Sequence, residues 1–149
     1  MIDSFKLEDY VVNNYTKKYY TNFFSWCGDI ENLKLLLKDG IDYSLFEGEF
    51  QNPLQNAVRN NKIEAVRLLL DRGFPADYKN NEGDTSLMFA VHLGFEDIVK
   101  LLLERGANPR EKVIKNREVI TPYLIAVIRK RIGILNLLTK REVFESQTS

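Results

Sequence analysis

The chain has 149 residues with 21 basic and 21 acidic side chains, and 44% of its residues are hydrophobic. A chain of this length fits one domain and can bury enough surface to fold without disulfides. Its single Cys27 cannot form an internal disulfide. The first residues show no basic segment followed by an apolar run, so we expect no signal peptide. No apolar run approaches the ~20 residues of a membrane span. We therefore expect a cytoplasmic protein, or one that acts in a host cytoplasm.

A sequence repeat dominates the chain. A Leu-Leu-Leu run followed by two charged residues and a glycine ends at Gly40, Gly73 and Gly106, which are 33 residues apart. A fixed period of this length is typical of stacked helical repeats, most of which bind rather than catalyse. We expect a single domain over residues 1–149.

The first elements are an N-terminal cap over residues 1–18 and a first repeat over residues 19–45. Residues 4–18 place apolar side chains among polar ones, which predicts a short amphipathic helix that covers the first repeat. The first repeat is regular only from Gly28 onward. Before it, Phe24 occupies a position where later repeats have alanine, and an atypical end repeat is expected because it has one neighbour.

The second repeat spans residues 46–78 and the third spans residues 79–111. In the second repeat, Asn52 is the predicted cap of the first helix, and Pro53 follows it at the first helical position, where proline is favoured. In the third repeat, Thr85 is the predicted helix cap, and Leu87 and Ala90 form the buried stripe of the first helix. The apolar face of the second helix consists of Ile98, Val99, Leu102 and Leu103. The glycines that follow the second helices, Gly73 and Gly106, are expected to adopt positive φ.

The third repeat resembles the ankyrin repeat. The family pattern Gly-x-Thr-Pro-Leu-His-x-Ala, a glycine turn and Val-x-x-Leu-Leu-x-x-Gly-Ala-Asp is met at most positions from Gly83 to Asn108. Ser86 stands where the family has proline, and Met88 where it has histidine. The resemblance covers residues 19–141. It implies an all-α ankyrin-repeat solenoid of about four helix-turn-helix units with an N-terminal capping helix and little or no sheet.

The fourth repeat spans residues 112–141 and matches the register only after three extra residues. These fall in the polar and charged stretch Pro109–Ile120, which predicts a lengthened surface loop. Such a loop often carries function, although insertions also cost little free energy. Residues 142–149 are expected to form a frayed tail.

The sequence offers little for catalysis. His92 is the only histidine and Cys27 the only cysteine, too few for a zinc site of Cys and His ligands. No phosphate-binding or dinucleotide-binding glycine motif occurs. We expect no enzyme, no metal and no cofactor.

The resemblance implies that a partner meets the concave side, where loop tips and the first helix of each repeat lie. Trp26 is the leading candidate for an anchor, because Trp and Arg are over-represented among the residues that dominate binding energy. Packing as core beneath the N-terminal helix is its alternative. By register, the candidate residues for partner binding are Trp26, Gln51, Arg59, Asn60, Glu82, Asp84, His92, Leu93, Ile128 and Arg129.

Binding another protein is the leading function, with a role as an adaptor, a toxin inhibitor or immunity protein, or a host-directed effector. Nucleic acid or an acidic partner could instead meet the basic fourth repeat, with Arg129, Lys130 and Arg131. Residues 1–106 carry 12 basic and 17 acidic side chains, and residues 107–149 carry 9 and 4. A net charge of zero argues against nucleic acid. We expect a monomer with no membrane contact.

Overall fold

The computed structural model describes residues 13–147, with side chains through residue 140. Its secondary-structure elements pair as the repeat predicts. They are α1 (Asn14–Cys27), α2 (Ile30–Leu36), a 3-10 turn (Tyr43–Phe46), α3 (Pro53–Arg59), α4 (Ile63–Asp71), α5 (Ser86–Leu93), α6 (Glu96–Glu104), β1 (Val113–Lys115), β2 (Glu118–Ile120), α7 (Pro122–Ile128) and α8 (Ile132–Gln147).

The predicted N-terminal helix over residues 4–18 lies largely outside the described residues. Its last residues, 14–18, form the first part of α1, which continues without a break to Cys27. Asn13 caps this helix, since its side-chain oxygen accepts a hydrogen bond from the Thr16 amide at 2.9 Å.

Two compact units divide the chain, residues 1–74 and residues 75–149. In the first unit, α1 packs against α2 and α3, and α4 packs against α2 and α3. In the second unit, α5 packs against α6 and α7, and α8 packs against α6 and α7. Each unit therefore holds two helix pairs, with first helices against first helices and second helices against second helices.

Side-chain caps start the first helices of the second and third repeats where the sequence predicts them. The Thr85 hydroxyl accepts from the Met88 amide at 3.4 Å, and the Asn52 side chain accepts from the Gln55 amide at 3.0 Å. Thr121 repeats the arrangement ahead of Pro122, with the Leu124 amide at 3.1 Å. These caps satisfy amide groups that have no partner inside the helix, and so fix where each helix begins.

The cores of the two units follow the predicted apolar stripes. Leu54, Ala57 and Leu69 are buried in the first unit, and Leu87, Ala90, Ile98, Val99, Leu102 and Leu103 are buried in the second. Phe24 is also buried, at the position where the other repeats have alanine, and its ring lies 5.7 Å from that of Tyr20.

Backbone conformation at the repeat ends confirms another prediction. Gly73 and Gly106 have φ of 95° and 90°, in the left-handed region that ends a helix. At the turn between the two helices of a repeat, Gly28 and Gly94 are replaced in the second and fourth repeats by other residues. Asn61 and Lys130 keep the left-handed conformation there, with φ of 54° and 56°.

We expect Lys130→Gly to raise the free energy of unfolding by about 0.5–1 kcal/mol, because an L-residue in the left-handed region is strained by about 1–2 kcal/mol and glycine loses part of that gain as entropy. Asn61→Gly is the matched control and should change stability less, since asparagine tolerates this conformation. Urea denaturation measures both. A Lys130→Gly midpoint at or below that of the parent chain would contradict the strain argument.

The stretch Pro109–Ile120 is more ordered than the surface loop predicted for it. It holds the antiparallel hairpin of β1 and β2, in which Val113 pairs with Ile120 and Lys115 with Glu118. Its turn residues Asn116 and Arg117 both have positive φ, 52° and 67°, as a two-residue hairpin turn requires. β-Branched residues on both sides of this turn favour strands, which explains why the stretch forms a hairpin rather than an irregular loop.

Candidate functional site

An aromatic face runs along α1. Tyr15, Tyr19, Phe23 and Trp26 are four, four and three residues apart, which places them on one side of the helix. All four are exposed, and Trp26 keeps 53% of its surface accessible. The rings of Tyr19 and Phe23 are stacked with centroids 6.4 Å apart, and those of Phe23 and Trp26 are 6.2 Å apart. Trp26 is therefore not core of the described part of the chain.

A groove of about 480 Å³ lies beside this face in the first unit. Its walls combine the α1 aromatic face with polar side chains of the second repeat. The residues that line it are Tyr15, Lys18, Tyr19, Asn22, Phe23, Trp26, Gln51 and Asn56. We call it the aromatic groove. Trp26 and Gln51 were both predicted to bind a partner, and the structure brings them to the same groove.

Hydrogen bonds and an ion pair hold the polar wall of the aromatic groove in place. The Asn56 amide donates to Asn22 Oδ1 at 3.1 Å, which joins α3 to α1. Lys18 forms a salt bridge with Glu49. Because this lysine is paired, the groove presents aromatic faces and amides rather than an uncompensated positive charge.

Arg59 and Asn60, two other predicted residues of the first unit, lie at the end of α3, the helix that also carries the groove residue Asn56. The Arg59 guanidinium carbon is 5.0 Å from the centroid of the Phe50 ring, within the range of a cation–π interaction. Asn60 is exposed, and its side-chain amide donates to the Asn56 carbonyl at 2.8 Å. Arg59 is thus held by its neighbours at the end of α3.

In the second unit, the predicted residues fall into two groups. His92 and Arg129 form the first, with 3.3 Å between His92 Nε2 and Arg129 Nη2. Arginine has only donors, so the imidazole nitrogen accepts when the ring is neutral. Arg131 adds a second link by donating to the His92 carbonyl at 3.1 Å. Leu93 and Ile128 are exposed beside this group.

Glu82 and Asp84 form the second group, and both are bound to the hairpin. Lys115 Nζ lies 2.6 Å from Asp84 Oδ2 and 3.1 Å from Glu82 Oε2. These hydrogen bonds raise the pKa of Lys115, with Asp84 the larger cause. A nearby ion pair, Lys79 with Glu111 at 2.6 Å, lowers the pKa of the Glu111 carboxyl. The two predicted acids are therefore engaged within the chain.

Burial, followed by the charges of Arg129 and Arg131, lowers the pKa of His92 below its usual 6.5. The folded chain therefore binds this proton less readily than the unfolded chain. As the pH falls below 6.5, the free energy of unfolding therefore decreases, and it stops decreasing once the pH is below the pKa of His92 in the folded chain.

We expect an NMR titration to place the midpoint of the His92 ring protons below 6.5, and Arg129→Ala to move it upward. His92 is the single histidine, so its signals need no assignment against others. Lys100→Ala, at an exposed position of α6, is the control and should leave the midpoint of the His92 titration unchanged. A midpoint above 6.5 in the parent chain, or a fall on Arg129→Ala, would refute this.

Two further features, metal-ligand clusters and membrane-spanning helices, bear on the described residues. Within them, no group of three or more His, Cys, Asp or Glu side chains is placed to hold a metal ion. Among helices α1 to α8, none is long and apolar enough to cross a membrane.

Six of the eight residues that line the aromatic groove were not predicted from the sequence: Tyr15, Lys18, Tyr19, Asn22, Phe23 and Asn56. The predicted residues lie at loop tips and at the two positions before each turn between helices, and the first turns of α1 contain none of these positions. The spacing of four, four and three residues between aromatic side chains was a signal in the sequence for Tyr15, Tyr19 and Phe23, since it places them on the same helix face as Trp26.

The chain is a helical repeat protein, because its helices come in pairs, have capping residues at equivalent positions and follow a 33-residue register. Residues 23–113 match the family model for ankyrin repeats, in three copies. Because the match covers more than half of the 149 residues, the chain belongs to the ankyrin-repeat family. The predicted all-α ankyrin-repeat class is thereby confirmed. Ankyrin repeats are generally protein–protein interaction modules. A search among curated proteins gave no match to the chain.

Proposed function

We propose that the chain is a non-catalytic module that binds another protein through the aromatic groove of its first unit. The observation that carries the proposal is the exposure of four aromatic side chains on one face of α1. Such side chains supply large, rigid contact area at a low cost in side-chain entropy, and Trp and Tyr are enriched among residues that dominate binding energy.

The polar wall of the groove adds specificity. Asn22, Gln51 and Asn56 carry amides that both donate and accept hydrogen bonds, as a peptide backbone does. With Lys18 paired to Glu49, the groove suits a neutral segment that places apolar side chains against the rings. Arg59 at the end of α3 would lie at the rim, where charges affect the association rate and salt dependence more than affinity.

The module would serve as an adaptor, a toxin inhibitor or a host-directed effector. We infer a cytoplasmic location, either in the cell of origin or in a host, because the exposed thiol of Cys27 suits a reducing compartment.

The test begins with a partner captured from the native organism. We expect Trp26→Ala to weaken that complex by about 2 kcal/mol or more, roughly 30-fold in Kd. Leu35→Ala is the matched control, because Leu35 is an equally exposed apolar residue on α2 of the same unit. Calorimetric titration measures Kd, and circular dichroism checks that each variant retains its helices.

Equal weakening by Trp26→Ala and Leu35→Ala would contradict the proposal. If Arg129→Ala weakens the complex and Trp26→Ala does not, the partner binds the second unit instead. Binding of a DNA duplex with a steep salt dependence that Arg129→Ala reduces would favour the basic repeat and nucleic acid.

A further inference from the structure

Burial at matched register positions differs sharply within the second unit. In α5, three of these positions are buried, with exposures of 0% for Leu87, 3% for Met88 and 0% for Val91. In α7, 36 residues further along, the matching side chains are exposed by 47% for Tyr123, 39% for Leu124 and 44% for Val127. The fourth repeat therefore carries core-type residues at positions that the described chain leaves open.

The reason lies in the neighbours of α7. Within the second unit this helix packs against α5 and α8, and no described residue of the unit covers its remaining side. Ile128 at the end of α7 and Ile132 at the start of α8 are also exposed, by 68% and 71%. Exposed apolar patches of this kind mark interaction sites.

Charge at the edge of this surface narrows the choice of occupant. Arg129 and Lys130 are exposed directly after α7. A second copy docked face to face would bring these basic residues together. An occupant with acidic side chains around an apolar stripe would be attracted instead.

The packing of α5 indicates what kind of structure would fit against the exposed face of α7. The register positions left open on α7 are buried in α5, and α5 is packed against α7, the first helix of the following repeat. No described helix of the unit takes the corresponding place against α7, so a helix is the shape that would fill it. We propose that the exposed apolar face of α7, formed by Tyr123, Leu124, Val127 and Ile128, docks an acidic amphipathic α-helix of a partner protein. This surface shares no residue with the aromatic groove, and the proposal does not depend on that groove being a binding site.

The probe is a synthetic peptide of about 18 residues, or five helical turns, with leucine on one face and glutamate on the other. Its charge-reversed match has lysine at each glutamate. Fluorescence anisotropy at about 0.1 M salt measures binding. We expect the glutamate peptide to bind at least about tenfold more tightly than the lysine peptide, and Val127→Glu to weaken it by at least about tenfold.

Two controls separate this surface from others. Leu35→Glu places the same charge on an exposed apolar position of α2, and Trp26→Ala removes the anchor of the aromatic groove. Both should leave peptide affinity within about threefold of the parent chain. Circular dichroism verifies folding, and Ile128→Glu replaces Val127→Glu if the latter loses helix content.

Absence of peptide binding would overturn the proposal, as would equal loss for Val127→Glu and Leu35→Glu. Equal affinity for the two peptides would overturn the charge assignment. A dimer in sedimentation equilibrium that Val127→Glu dissociates would show that a second copy covers this face, and the helical partner would then be wrong.

Discussion

Leu102→Ala is expected to lower the free energy of unfolding by about 2–5 kcal/mol. Leu102 has no exposed surface, and it lies on α6, which packs against α5 and α8 in the second unit. Removing its side chain takes buried methyl groups from the core and leaves a cavity that the surrounding helices fill only in part. Urea denaturation followed by circular dichroism measures the change.

Leu93→Ala is the matched control for Leu102→Ala, because Leu93 is 38% exposed in the same unit. Its truncation should cost less than about 1 kcal/mol, since water already reaches its side chain. Equal costs for the two substitutions would mean that the apolar stripe of α6 does not form the core.

Ala90→Leu is expected to destabilise the chain by about 1–3 kcal/mol through overpacking. Ala90 is fully buried on α5, and the matching Ala126 of α7 is fully buried as well. Because these two helices pack against each other, a larger side chain at this position forces the helices apart or takes a strained rotamer.

His92→Leu supplies the comparison for Ala90→Leu, since it places the same side chain at an exposed position of the same helix. It should leave the urea midpoint close to that of the parent chain. An Ala90→Leu midpoint that also stays unchanged would remove Ala90 from the helix contact.

The helical repeat could be predicted because local chemistry fixes it. Thr85, Asn52 and Pro53 mark where helices begin, and Gly73 and Gly106 mark where they end, in each case through the backbone groups of the residue's own turn. The apolar period then places the core faces. Each of these signals acts over a few residues, so the sequence alone contains it.

The candidate binding surface was harder to predict because it depends on contacts between repeats. The aromatic groove joins α1 to side chains about 30 residues away, such as Asn56 and Gln51. The pairing of Glu82 and Asp84 with Lys115 likewise needs the hairpin, whose strands were not predicted. Those two acids stay candidates for partner contact, but the structure shows them already held in ion pairs.

The most direct test of protein binding through the aromatic groove is the fluorescence of Trp26, the only tryptophan of the chain. Its indole is 53% exposed and lines the groove, so its emission reports the solvent around this site. Titration with the captured partner, in a form that lacks tryptophan, should shift the emission to shorter wavelength and saturate at the binding stoichiometry. Emission that stays unchanged while an independent method shows a complete complex would contradict the account.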